Sequence, residues 1–268
     1  PNKNFRSFNK SGESLLDLTI KKLYKIKTLD HIYLSTDKSD LVLKDYSKVS
    51  ILKRDKKFCN NKIPWSEVIN NIVNSIPEED NSIILWCHTT SPLFNLYEKA
   101  LKTFLELDST KFNSLVVVEK LKEFIIDEKG MPWNYMYGIW HKYSQDLPKL
   151  YKVAGSLFIN QLSDMKKIRY VINSNPFLFE IPSKFSIDID TEWDFKQAQL
   201  LYNYLNEKGL YDYMKMWIRL RYLHFSSNDF KAFFRENVWH MFCNCSAVYC
   251  DLSVTLIKIP ECCLSGSD

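Results

Sequence analysis

Apolar positions recur along this chain with two alternating periods. Between residues 14 and 27, Leu16, Ile20, Leu23 and Ile26 fall at helical spacing, and Ser14 with Asp17 suits a capping box at the start. His31-Ile32-Tyr33-Leu34 then reads as a short buried strand running into the polar Ser35-Thr36-Asp37, and Val49 to Leu52 as a second strand. A helix is predicted from Trp65 to Ile76, with Pro64 at its opening turn. Ile83 to Cys87 is a strongly apolar strand, stopped by polar residues and Pro92. Leu96 to Leu107 is helical, while Leu115–Val118, Ser156–Ile159 and Phe177–Ile181 are strands. A last helix, Thr191 to Leu205, should turn Trp193, Phe195, Ala198 and Leu201 towards a core. Short strands alternating with helices predict an α/β fold, a mostly parallel sheet covered on both faces.

Two stretches break this rhythm. Residues 120–152 set Trp133, Tyr135, Tyr137, Trp140 and Tyr143 among prolines and glycines, which reads as an inserted arm. After Gly209 the alternation stops: residues 212–240 look helical and aromatic, and a Cys-rich stretch follows. The expected organisation is a domain over 1–208 and a helical, Cys-rich extension over 209–268.

Composition narrows the function classes. The 268 residues include only six glycines, at 12, 130, 138, 155, 209 and 266. A usual content of ~7% would give about 19. No two are close enough for a G-x-G-x-x-G or Walker-type phosphate loop. With 46% hydrophobic and 15% aromatic residues, a large core is available. A net charge of +4, with Lys and Glu scattered, gives no nucleic-acid footprint. No apolar run approaches the ~18 residues of a membrane span. Of seven cysteines, Cys59 and Cys87 stand alone, whereas Cys243, Cys245, Cys250, Cys262 and Cys263 crowd the last 26 residues. An odd count, with no secretory pattern at the start, points to a reduced, cytoplasmic protein. The tail cysteines lack the paired Cys-x₂-Cys spacing of a zinc ribbon.

Candidate chemistry gathers at strand ends. In Ser186-Ile187-Asp188-Ile189-Asp190-Thr191-Glu192-Trp193-Asp194-Phe195, a strand would place Asp188 and Asp190 on one face, roughly 6.5–7 Å apart. Two carboxylates so placed suit Mg²⁺, which takes one or two carboxylates plus substrate phosphates. A solvated strand edge leading into a helix cap would read the same way. Leu85-Trp86-Cys87-His88-Thr89-Thr90-Ser91-Pro92-Leu93 puts a polar loop at the carboxyl edge of the sheet, where open α/β folds bind ligands. His88 there serves as a general base, a base-recognition donor, or simply a hydrogen-bonded side chain. Asp37 could meet a ribose or a metal and Arg54 a phosphate, or either a cap or surface ion pair.

The order of these segments carries a resemblance. Lys-Asn-Phe-Arg, a helix, Ser-Thr-Asp, Arg, Thr-Ser-Pro-Leu, Gly-Ser-Leu-Phe-Ile and Ile-Asp-Ile-Asp-Thr-Glu-x-Asp-Phe together resemble the acylneuraminate cytidylyltransferase family, from residue 1 to about 207. The resemblance implies a Rossmann-like three-layer α/β/α nucleotidyltransferase domain with an inserted dimerisation arm. It implies transfer of CMP from CTP to a nonulosonic sugar acid, with Mg²⁺, by a cytoplasmic homodimer. Asp188 and Asp190 look like the family's metal-binding pair. Lys3 and Asn4 look like the Lys-Asn that closes its nucleotide loop, and Arg54 like its Arg after the third strand. Lys3 joins the two aspartates as a candidate catalytic residue, and Asp37, His88 and Thr90 join the nucleotide set. Lys152-Val153-Ala154-Gly155 stands where Arg-Pro-Asn-Gly meets the sugar, so Lys152 and Gly155 are candidate substrate contacts. His88-Thr89 replaces a common Gln-Pro. The family's basic nucleotide loop and its first strand would precede Pro1, and a chain beginning at Pro1 is expected to bind CTP weakly. A nucleotidyltransferase for another keto-sugar acid, or an inactive binding module, is the alternative expectation.

Overall fold

The structure, a computed structural model, describes residues 3–38, 41, 46–60, 62–209 and 254–258. In chain order its elements are α1 (Leu15–Tyr24), β1 (His31–Thr36), β2 (Val49–Lys53), α2 (Trp65–Ser75), β3 (Ile83–His88), α3 (Tyr97–Leu105), β4 (Ser114–Leu121), β5 (Leu150–Gln161), α4 (Leu162–Ile168), β6 (Pro176–Ile181), α5 (Glu192–Glu207) and β7 (Val254–Lys258). The predicted strands and helices up to residue 207 occur, apart from the strand expected at Asp188 and Asp190, and the capping box at Ser14 and Asp17 closes in both directions. Only α4, a seven-residue helix, had no periodic pattern long enough to announce it.

The strands form one sheet in the order β2-β1-β7-β3-β5-β4-β6. β1 with β2 and β4 with β6 pair in parallel, whereas β5 and β7 run antiparallel to each neighbour. β1, β2, β3, β4 and β6 therefore point one way, and the mostly parallel expectation holds for strand direction. The central slot between β1 and β3 belongs to β7, where the resemblance would put a strand preceding Pro1. His31 to Ser35 pair with Lys258 to Val254, and Cys87 and His88 pair with Thr255 and Val254. The expected helical extension is thus corrected for its described part: 254–258 is a strand inside the sheet. Val-Thr-Leu-Ile-Lys is rich in β-branched residues, and the inner edges of β1 and β3 carry backbone groups that need partners. The tail cysteines and the helical pattern of 212–240 lie outside the described residues.

Strand alternation builds two apolar layers. Leu85 and Cys87 of β3, Leu115 and Val117 of β4, and Leu157 and Ile159 of β5 pack against α1, α3 and α5. Ile84, Trp86, Val116, Val118 and Phe158, from the intervening positions, pack against α2 and α4. A period of two on a twofold-covered sheet gives this division directly. His88, two residues beyond Trp86, continues towards the α2 and α4 side.

Two expectations need correction. Residues 186–190 form an irregular connection and not a strand, and Ile189 N–H donates to Thr90 O (3.0 Å) outside the sheet's ladder. Phe195 and Ala198 of α5 are buried as expected, but Trp193 is 54% exposed. It stands in the first turn, before the helix meets the core.

Lys22 of α1 packs its ammonium against the loop after β3, donating to Pro92 O and to Phe94 O, the latter at 2.9 Å. Burial pushes it down from 10.5 to about 7. A neutral amine keeps two N–H donors for these carbonyls. Between about 7 and 10.5 the unfolded chain holds a proton that the folded chain lacks, so stability should climb with pH across that window. The slope from Lys22 is at most ~1.4 kcal/mol per pH unit. Urea unfolding at pH 7, 8 and 9 should show this rise in the wild type and its loss in Lys22→Met; parallel pH profiles would contradict it.

Candidate active site

The carboxyl edge of the sheet gathers four segments: the chain start, the loop after β3, the first half of β5, and the connection 186–190. Their contacts are specific. Lys3 Nζ donates to Ile189 O (2.5 Å) and lies 3.7 Å from Asp190 Oδ1. Ile189 is itself tied to Thr90, and buried Thr89 donates through Oγ1 to Asn4 Oδ1 (3.0 Å). Lys3, Asn4, Thr90 and Asp190 are thereby drawn to one place.

β5 brings the next part. Its pairing with β4 shifts register between Val116 and Val118, whose partners are Phe158 and Val153. The extra residues of this bulge include Gly155, at φ +70°, a conformation that suits glycine. A Cβ there would meet Asp188 Oδ2 at 3.1 Å and His88 Nδ1 at 3.7 Å. Gly155 therefore lets β5 pass close to Asp188 and His88 where a side chain would crowd both.

The electrostatics of the carboxylate pair are unresolved from within. Asp188 Oδ1 is buried and has no hydrogen-bond partner. Asp190 is held above the usual carboxylate range by burial and then by the charge of Asp188, against the pull of Lys3. Asp194 plays a different part, since its carboxylate accepts from Thr191 N–H (2.7 Å) and Asp190 N–H (3.2 Å), capping α5. The helix-cap alternative thus describes Thr191 and Asp194, leaving Asp188 and Asp190 for other work. Two mutually repelling carboxylates, one with an orphaned oxygen, fit a hard divalent cation. Among the described residues no cluster of three or more metal-ligating side chains occurs, so further ligands would come from substrate oxygens or water.

His88 is fixed by its strand neighbour. Trp86 Nε1 donates to His88 Nε2 at 3.1 Å, and Trp65 and Phe158 flank the ring. Burial pushes the imidazole below its usual value, opposed by Asp188 and reinforced by Lys3. This contact had a signal in the sequence, since residues two apart in a strand share a face. Gly155 was also legible as a bulge, being an isolated glycine within a strand pattern. The Thr89–Asn4 bond joins residues 85 positions apart and had none.

Three predicted residues lie further out. Buried Arg54 follows β2, with its N–H bonded to Thr36 O (2.8 Å) and Nε donating to Cys59 Sγ (3.2 Å); Asp37 follows β1. Both sit at the carboxyl ends of their strands, but across β7 from His88. Lys152 is largely exposed and pairs with Glu119 Oε2 at 3.9 Å, three residues before Gly155 on β5.

No family model matches the chain. Two pseudaminic acid cytidylyltransferases of Campylobacter jejuni subsp. jejuni, of serotypes O:2 and O:23/36, are each 22% identical over 217 residues, covering 78% of this chain and 93% of theirs. A solved 2-C-methyl-D-erythritol 4-phosphate cytidylyltransferase of Francisella tularensis superposes with a TM-score of 0.54 at 14% identity, over 74% of this chain and 92% of its own. The chain is similar to sugar-acid cytidylyltransferases and has the cytidylyltransferase fold. The resemblance drawn from motif order is borne out at that level, and with it the α/β class.

Gly155→Ala tests this close approach. A left-handed φ costs a non-glycine residue about 1–2 kcal/mol, and the new Cβ presses on Asp188 Oδ2. Urea unfolding should show a loss of about that size; an unchanged midpoint would mean the bulge relaxes without cost.

Proposed function

We propose that this chain transfers CMP from CTP to pseudaminic acid or a closely related nonulosonic sugar acid, releasing pyrophosphate. The observation that carries the reading is the carboxylate pair Asp188 and Asp190 at the carboxyl edge of a cytidylyltransferase fold, one buried oxygen of it unpartnered. The two sequence relatives and the solved structure named above are cytidylyltransferases. The pair is the proposed seat of a divalent cation, with Mg²⁺ the choice favoured by all-oxygen ligands. Such a cation would neutralise charge building on the phosphates.

The sugar's hydroxyl attacks the α-phosphorus of CTP in line, and pyrophosphate leaves. Catalysis of this kind rests on positioning and charge neutralisation. Lys3 is the proposed cation for the phosphates, its ammonium now held between Ile189 O and Asp190. Asn4, Thr90 and, further along the edge, Asp37 and Arg54 form the proposed nucleotide side. Gly155 and Lys152 form the sugar side. Cytoplasmic placement suits the buried free thiol of Cys87. Among the described residues no helix is long and apolar enough to cross a membrane.

Pyrophosphate release from CTP, Mg²⁺ and pseudaminic acid tests the assignment. Asp188→Ala and Asp190→Ala should each lower turnover by on the order of a hundredfold or more while thermal unfolding stays near wild type. Undiminished turnover in either variant would remove that residue from the metal pair.

The arm between β4 and β5 supports the homodimer reading. Ile139 is 89% exposed, Tyr143 75% and Trp133 73%, with Trp140 and Met136 also open to solvent. An apolar surface of this kind marks an interaction site, and we assign it to a second copy. Light scattering should give a dimer for the wild type and a monomer for the double variant Ile139→Asp/Trp140→Asp; a monomeric wild type would contradict the assignment.

A further inference from the structure

The connection 186–190 has no ladder partners, so single contacts fix its position. One end is fastened at Ile189, by Thr90 O and by Lys3. The other is fastened at Ser186, whose hydroxyl donates to Glu119 Oε2. Asp188 lies between the two ties.

Glu119 stands where an apolar residue would continue the pattern. On β4 it follows Leu115 and Val117, in the row that packs against α1, α3 and α5. Its side chain is only 18% exposed. Its backbone pairs with Lys152 of β5 and with Ile181, the last residue of β6. From Ile181 the single turn Ser183–Phe185 returns the chain, and buried Ser186 meets the carboxylate. Lys152 approaches the same oxygen at 3.9 Å, its side chain largely in solvent. A bridge so exposed is worth little, whereas a mostly buried carboxylate loses hydration that an apolar side chain would not. Stability is therefore not what the charge at 119 supplies. Nor does Glu119 join a metal set, since among the described residues no three ligating side chains cluster. Without it the Ser186 hydroxyl keeps Ser183 O at 2.9 Å, a partner in its own turn that ties the connection to nothing beyond.

We propose that Glu119 is a positioning residue for the carboxylate pair: through Ser186 it holds the connection where Asp188 and Asp190 meet a divalent cation. The inference rests on the CMP-transfer reading of that pair. The contact with Lys152 ties the same carboxylate to the proposed sugar side.

Glu119→Leu extends the apolar row and should melt no lower than the wild type. Its affinity for Mn²⁺ in the presence of CTP should nevertheless fall about tenfold, and its turnover of CTP and pseudaminic acid by a similar factor. Glu119→Gln should recover most of both, because its amide oxygen accepts from Ser186. Ser186→Ala should match Glu119→Leu, and the double variant should be no worse than either, as expected of two groups acting as one unit. Ser186→Ala, the smaller change, carries the same test if the leucine variant does not fold. Wild-type Mn²⁺ affinity in folded Glu119→Leu or Ser186→Ala, no recovery in Glu119→Gln, or losses that add in the double variant would each overturn the inference and leave CMP transfer standing. If the folded wild type releases no pyrophosphate from CTP and pseudaminic acid, CMP transfer is overturned and the inference with it.

Discussion

A buried carboxylate oxygen without a hydrogen bond is the constraint on which the rest of this site depends. Leaving a buried acceptor unsatisfied costs about 1–3 kcal/mol, more when it is charged. Asp188 Oδ1 is such an atom, and Asp190 adds a second negative charge beside it. Lys3 answers part of that charge from 3.7 Å, but its ammonium is also engaged by Ile189 O. Buried charge normally finds a partner, and the pair is the proposed seat of one more cation. The proposed reaction supplies it together with the phosphates.

The fold makes such an arrangement tolerable by fixing the backbone around it. Two apolar layers hold the sheet, one with α1, α3 and α5 and the other with α2 and α4. Connection 186–190 is fastened at Ile189 from two sides, by Thr90 O and by Lys3. The bulge at Gly155 lets β5 run close under Asp188 without a side chain in the way. Ligand sites of open α/β sheets lie outside the carboxyl ends of the strands, and every element of this one does.

Much of the fold was legible along the chain, for definite reasons. Alternation in Ile83-Ile84-Leu85-Trp86-Cys87 encodes both layers at once, and Ser14 with Asp17 encodes the start of α1. What failed was information that is not local. Val254 to Lys258 has strand composition, but nothing nearby announces that it fills the middle of a sheet begun some 220 residues earlier. Asp188 and Asp190 were placed together by a strand period, although the chain there forms no strand. Their union is set by Thr90 and Lys3, far off in sequence. Trp193 misled because the first turn of α5 precedes the core contact.

Similarity at 22% identity, extending over 93% of the relatives' length, shows how little of the sequence such a scaffold fixes. The orphaned oxygen is what links scaffold to chemistry, and a cation titration tests that link most directly. Mn²⁺, followed by its electron paramagnetic resonance signal in the presence of CTP, should bind the wild type at one site. Asp188→Asn, folded by circular dichroism, should lose that binding by on the order of tenfold or more. Equal Mn²⁺ affinity in the wild type and Asp188→Asn would contradict the account.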